Sequence, residues 1–230
     1  MSWFSDFFRS MVGKKAVMAV SGLVLFGFVL VHMLGNLKLF LPVHPDGTYP
    51  IDEYGRFLRH VGEPLVPAHT VLWIARLALL AAVVLHIWAA WAVTRASRAA
   101  RPVPYQRRDT VQATYASRTM RWGGVIIVLF VLYHLAHLTL GWVGLGFVPE
   151  RVHDNLVAGF SNLFVSGFYA IAQIALGFHL YHGLWSLFQS LGWNHPRYNG
   201  WRRGFAALFA WVVTLGNLSF PLAVLTGLVA

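Results

Sequence analysis

Gly177-Phe178-His179-Leu180-Tyr181-His182-Gly183-Leu184-Trp185 places two histidines one helical turn apart inside an otherwise apolar segment. A segment of this kind, set in a long hydrophobic run, reads as a membrane span. An ionisable side chain is costly in hydrocarbon, so its default reading is a functional group facing the bundle interior. Imidazole is also the commonest metal ligand. The deciding question is whether other spans carry histidines at matching depth.

The chain has 230 residues, 57% of them hydrophobic and 11% charged, with a mean hydropathy of +0.59. Those values exceed an ordinary soluble domain and predict an integral membrane protein. With no cysteine, disulfides, thiolate-held iron–sulfur clusters and covalently attached c-type haem are excluded, so a bound metal must be held by His or by oxygen. The formal charge of +10 could signal nucleic acid, but in a membrane protein loop charge first sets orientation.

Outward from the opening stretch, the chain divides into five apolar runs, and an all-α bundle of five transmembrane helices follows. Residues 1–11, with Trp3, Phe4, Phe7 and Phe8 beside Asp6 and Arg9, are too short to span and suit an interfacial helix. The first span covers residues 16–37. Its basic flank resembles that of a signal peptide, yet the run is long enough to cross, lacks an Ala-x-Ala cleavage pattern and carries His32 and Asn36. Residues 38–68 hold Pro42, Pro45, Pro50, Pro64 and Pro67 and predict a loop with short elements. The remaining spans are expected at 69–94, 122–143, 162–191 and 205–230, with a short polar loop between the third and fourth. At ~20 residues per crossing they leave no room for a soluble catalytic domain, so residues 1–230 read as one transmembrane domain.

Thirteen Lys and Arg residues, among them Arg9, Lys14, Lys15 and the run from Arg95 to Arg121, fall on one side. Four fall on the other: Lys38, Arg56, Arg59 and Arg151. The positive-inside rule then puts the N-terminus in the cytoplasm and the C-terminus outside. Depth follows from a rise of ~1.5 Å per residue. His32, His134 and His137 lie in the outer half, and His86, His179 and His182 in the inner half. The first and third spans offer an outer histidine pair, and the second and fourth an inner one.

Two imidazoles from facing helices, without Cys, Met or carboxylate nearby, suit a planar macrocycle held between helices. Bundle cores build cofactor sites in this way, and haem iron accepts axial His. Two bis-histidine b haems would make an electron path across the membrane. A zinc site would want four ligands at one level, and a proton relay would normally add an intramembrane Asp or Glu; the expected spans contain neither acid. His44, His60, His69, His153 and His195 lie in loops or at span ends, where a solvated surface role is expected.

These residues resemble the five-helix, di-haem cytochrome b membrane anchor of succinate dehydrogenase and fumarate reductase. Gly13-Lys14-Lys15 followed by His32-Met33-Leu34-Gly35-Asn36-Leu37 is similar to the family's first span. Ser117-Arg118-Thr119-Met120-Arg121 leading to Tyr133-His134-Leu135 is similar to its third, and His179 to Trp185 to its fourth. Asn194-His195-Pro196-Arg197-Tyr198-Asn199 resembles the loop beyond. The resemblance implies axial ligands at His32, His86, His134 and His179. His86 with His179 would hold the inner haem, and His32 with His134 the outer one. It selects His134 over His137, although His137 matches His32 slightly better by rise alone, and His179 over His182.

The resemblance also implies a flavoprotein and an iron–sulfur subunit on the cytoplasmic side, a membrane quinone as redox partner, and a bacterial cytoplasmic membrane. The chain would be the quinone-reactive, electron-transferring subunit of a succinate:quinone oxidoreductase, with the dicarboxylate site on another subunit. Some family members place a glutamate two residues before the fourth ligand, where this chain has Gly177.

His137 and His182 each lie three residues beyond an expected ligand and would face a haem propionate or a quinone headgroup, with a hydrogen bond to a neighbouring helix as the alternative for each. Arg76 is a candidate partner for an outer propionate, with snorkelling to the surface as its alternative. Glu53 and Glu63 are candidate proton acceptors for quinone on the outer side, with a solvated loop carboxylate as the commoner alternative for each. Two competing readings remain: the cytochrome b subunit of a hydrogenase or formate dehydrogenase, and a haem-free transporter that moves protons on histidines.

Overall fold

The computed structural model describes residues 3–100, 115–144, 146–193 and 195–230, and among them every regular element is helical. A short helix, α1 (Trp3–Arg9), precedes the first long one, α2 (Met11–Asn36), which runs on into a 3-10 turn at Leu37–Phe40. After α3 (Pro50–His60) come α4 (Thr70–Ala99) and α5 (Tyr115–Leu138). A short α6 (Val152–Phe160) leads to α7 (Leu163–Ser190) and α8 (Pro196–Leu225). Among the described residues five helices, α2, α4, α5, α7 and α8, are long and apolar enough to cross a membrane. Large apolar side chains such as Leu23, Leu77, Leu132 and Trp211 remain exposed on them. Helices apolar on all sides need lipid around them.

Capping explains why two spans start earlier than the hydropathy alone indicates. At α2 the Ser10 Oγ accepts the Gly13 N–H at 2.9 Å, so the helix begins at Met11 and not near residue 16. At α8 the His195 Nδ1 accepts the Arg197 N–H at 3.2 Å and Pro196 occupies the first turn, so the helix begins ahead of residue 205. The third span shifts the other way at its end. It stops at Leu138, short of residue 143, where Gly141 and Gly144 with φ of 65° and 108° turn the chain.

The expected polar loop before α7 contains a further helix, α6, whose residues Leu156, Gly159 and Phe160 are buried. That helix corrects the reading of His153, which is 5% exposed and stacks on Tyr49 with ring centroids 3.5 Å apart. The His153 amide donates to Asp52 Oδ1 at 2.8 Å, so α6 docks on α3. Arg101, Arg107, Arg108 and Asn194, together with the side chains of Ser117, Arg118 and Thr119, lie outside the described residues.

Two groups of helices face each other: α2 packs along α4, while α7 packs against both α5 and α8. Small residues let the backbones approach, as membrane packing requires. Ala19, Ser21, Ala82 and Ala89 are buried on α2 and α4. On α7, a Cβ added at Gly177 would lie 2.3 Å from Thr214 Oγ1 of α8. Met33 of α2, 2% exposed, closes the far end, where a Cβ at Gly216 of α8 would meet its Sδ at 2.6 Å. A glutamate at position 177 would point at α8 and force it away. Gly177→Leu is expected to cost ~1–3 kcal/mol through overpacking and to lower the thermal unfolding temperature in detergent. Gly27→Ala, inside α2 with nothing within 4 Å of the new Cβ, should not lower it.

Candidate functional site

The facing helix groups bring the intramembrane histidines together in twos. His32 on α2 meets His134 on α5, with ring centroids 5.9 Å apart and planes at 90°. His86 on α4 meets His179 on α7 at 6.1 Å and 65°. It is His134, not His137, whose ring meets His32, and His179, not His182, whose ring meets His86. The separation of the two levels can be read along α7, where Tyr169 touches His134 and His179 touches His86. Ten residues of helix at ~1.5 Å each put the levels ~15 Å apart.

The pairs differ in how their nitrogens are held. His86 Nδ1 lies 3.2 Å from the Met18 carbonyl of α2. A carbonyl can only accept, so Nδ1 carries the proton and Nε2 keeps its lone pair. Ser21 Oγ, which donates to the Val17 carbonyl at 2.7 Å, adds a second acceptor 3.3 Å from the same Nδ1. His179 Nδ1 is buried without a hydrogen-bond partner. In the other pair the Asn36 amide donates to His32 Nε2 at 3.3 Å, and His134 Nδ1 lies 3.3 Å from the Tyr169 hydroxyl.

The donor set fits a bis-imidazole metal centre of the haem kind. Among the described residues no three of His, Asp and Glu converge as a closed metal-ion site wants; the histidines come in twos from opposite helices. His86 also has the orientation of a metal-binding imidazole, its distal N–H fixed on a carbonyl.

His137 turns away from His32. It is 5% exposed, and its ring lies between Gly144 and Gly159, where added Cβ atoms would come within 3.1 Å of Cδ2 and 2.5 Å of Cε1. Its Nδ1 lies 3.0 Å from the same Tyr169 hydroxyl. Beyond it is a cavity of about 210 Å³ that Asn155 and Asn162 also line. Asn155 ties the neighbouring loop down from both sides, accepting the Val148 N–H at 2.9 Å and donating to the Val148 carbonyl at 2.7 Å.

At the other level His182 packs edge-on to Trp185, ring centroids 6.3 Å apart, and His182 Nδ1 and Trp185 Nε1 are buried without partners. The Arg203 guanidinium sits 4.7 Å over the Trp185 ring. Arg76 is on an exposed face of α4, its guanidinium 5.0 Å above the Trp73 ring. Glu53 pairs with His44 at 3.2 Å and Glu63 with His60 at 2.9 Å, and neither lines the His137 cavity. Sequence reasoning missed Tyr169, whose only signal was a hydroxyl at the depth of His134, and it missed the Met18 carbonyl, which has no sequence signal.

A helical membrane protein with histidines paired at two levels between its spans is the class this architecture defines. Residues 94–218 match the succinate dehydrogenase/fumarate reductase transmembrane subunit family, over more than half of the chain, and the protein belongs to that family. The matched stretch contains His134 and His179, while His32 and His86 join them through the fold. No curated protein and no solved structure matches the chain significantly.

Asn155→Ala is expected to leave the Val148 amide without its partner, while the Val148 carbonyl keeps the Arg151 N–H at 3.3 Å, at ~0.5–1.5 kcal/mol for one lost hydrogen bond. Hydrogen exchange should then show lost protection of the Val148 amide, with α7 unaffected.

Proposed function

We propose that this transmembrane subunit is a di-haem cytochrome b that carries electrons between an iron–sulfur subunit and membrane quinone. The meeting of His32 with His134 and of His86 with His179 is the observation that carries the reading. His86 and His179 would hold the inner haem, and His32 and His134 the outer one. When bound, the haems supply one-electron carriers, while the protein fixes their ligands, spacing and surroundings.

The residues have separate tasks. Met18 and Ser21 hold the His86 ring with Nε2 free. His32 Nε2 would have to exchange its Asn36 contact for the metal. His137 and His182 lie one turn beyond the ligands, where each is placed to bind a propionate or a quinone headgroup. The unpartnered Nδ1 of His182 and Nε1 of Trp185 suit an acceptor oxygen there. Arg76 is the candidate for an outer propionate, and its stacking on Trp73 is equally the posture of a snorkelling side chain.

The excess of Lys and Arg on one side supports a cytoplasmic N-terminus and an outside C-terminus, and membership of the family supports flavoprotein and iron–sulfur subunits on the cytoplasmic face of a bacterial membrane. Gly177, closed against Thr214, supports proton uptake that uses no acid at that position.

A reduced-minus-oxidised visible spectrum of the purified protein is expected to show b-type bands, and their absence would end the haem proposal. His32→Ala or His134→Ala should remove one haem and His86→Ala or His179→Ala the other, while His182→Ala should keep both, as read by haem quantitation. Loss of a haem in His182→Ala would reassign the α7 ligand. Arg76→Gln should shift the outer-haem potential if it serves a propionate; an unchanged potential assigns it to snorkelling.

A further inference from the structure

We infer that Tyr169 is a positioning residue for the outer histidine pair, setting the proton positions of both His134 and His137 through one hydroxyl. The inference rests on the haem-binding reading above. Tyr169 is 5% exposed, and its hydroxyl lies 3.3 Å from His134 Nδ1 and 3.0 Å from His137 Nδ1. Its ring is wedged edge-on against Phe130 and Phe160, with centroids 5.0 and 4.9 Å away, so the oxygen is fixed between the two imidazoles.

A phenol has one proton to donate and lone pairs with which to accept. Both imidazoles could donate to its lone pairs, but the buried phenol proton would then have no acceptor; all three groups are satisfied only if one imidazole donates to the oxygen and the other accepts its proton. An imidazole that gives its Nε2 to a metal carries its proton on Nδ1. His134 therefore donates to Tyr169, and Tyr169 donates to His137 Nδ1. His137 in turn must carry its remaining proton on Nε2, the edge lying against Gly144 and Gly159, which both line the 210 Å³ cavity. The cavity thus meets a fixed N–H donor, and the chemistry it takes at that wall is an acceptor oxygen, a carbonyl or carboxylate.

This order has an electronic consequence. An acceptor on Nδ1–H makes a ligating imidazole more basic and favours the oxidised iron. The effect is cooperative, because a phenol that is itself donating is a better acceptor. Tyr169 would therefore lower the potential of the outer haem, and His137 would assist it from one bond further away.

The test is a redox titration, followed optically, of the whole complex carrying wild-type chain, Tyr169→Phe or His137→Ala. Tyr169→Phe is expected to retain both haems and to raise the midpoint of the outer haem alone, with a changed low-spin signature by electron paramagnetic resonance. His137→Ala is expected to raise the same midpoint by less. An unmoved outer midpoint in an assembled Tyr169→Phe complex overturns the inference while leaving the haem reading intact. If that variant does not assemble, His137→Ala decides: a rise supports the chain, and no change or a fall overturns it. A fall would mean that His137 neutralises an anionic group. A wild-type complex without b-type bands overturns the haem reading, and this inference with it.

Discussion

A neutral imidazole in hydrocarbon needs partners for both of its nitrogens, and four of the five spans are arranged around that need. Each supplies one member of a histidine pair, and none pairs with its closest packing neighbour: α2 packs on α4 yet sends His32 to α5, and α4 sends His86 to α7. The tight contacts and the histidine-to-histidine contacts therefore run in different directions. Small residues close the first set. The second set is left to polar side chains across a looser seam.

Helix α7 is the element on which these demands converge. One face, with Ala172, Gly177, Leu180 and Leu184 buried, joins α8 and the core. Tyr169 and His179 reach the two histidine levels from the same helix. Gly177 lies between those levels and is spent on the approach to Thr214. Packing and polar chemistry thus share one cylinder, Tyr169 lying in the buried core beside Ala172, and α8, whose described residues carry no histidine, packs along α7.

Much of this was legible in the sequence, because hydropathy fixes where a chain must cross and helical rise then fixes depth. Those two rules pair the first span with the third and the second with the fourth, while the choice of His134 over His137 and of His179 over His182 rested on the family resemblance. What was not legible depends on contacts between segments far apart in the chain. His153 looked like a loop residue until α6 folded onto α3 and buried it against Tyr49. Gly177 read as the lack of an acid, whereas in space it is a close helix contact. Tyr169 gave no warning because an intramembrane tyrosine is ordinary until two imidazoles are found at its hydroxyl. Caps such as Ser10 were visible as residue types, yet hydropathy outweighed them in setting the helix starts.

Under the proposed function, the ten-residue interval on α7 decides how much of the membrane voltage lies between the two histidine levels. A separation of ~15 Å along the bundle is about half of a ~30 Å hydrocarbon core. An elementary charge passing from one histidine level to the other would thus move through about half of the transmembrane voltage. At 100 mV across the whole membrane that step is worth ~1 kcal/mol, downhill in one direction and uphill in the other. The spacing of two side chains on one helix would in this way make internal charge transfer sensitive to the electrical state of the membrane.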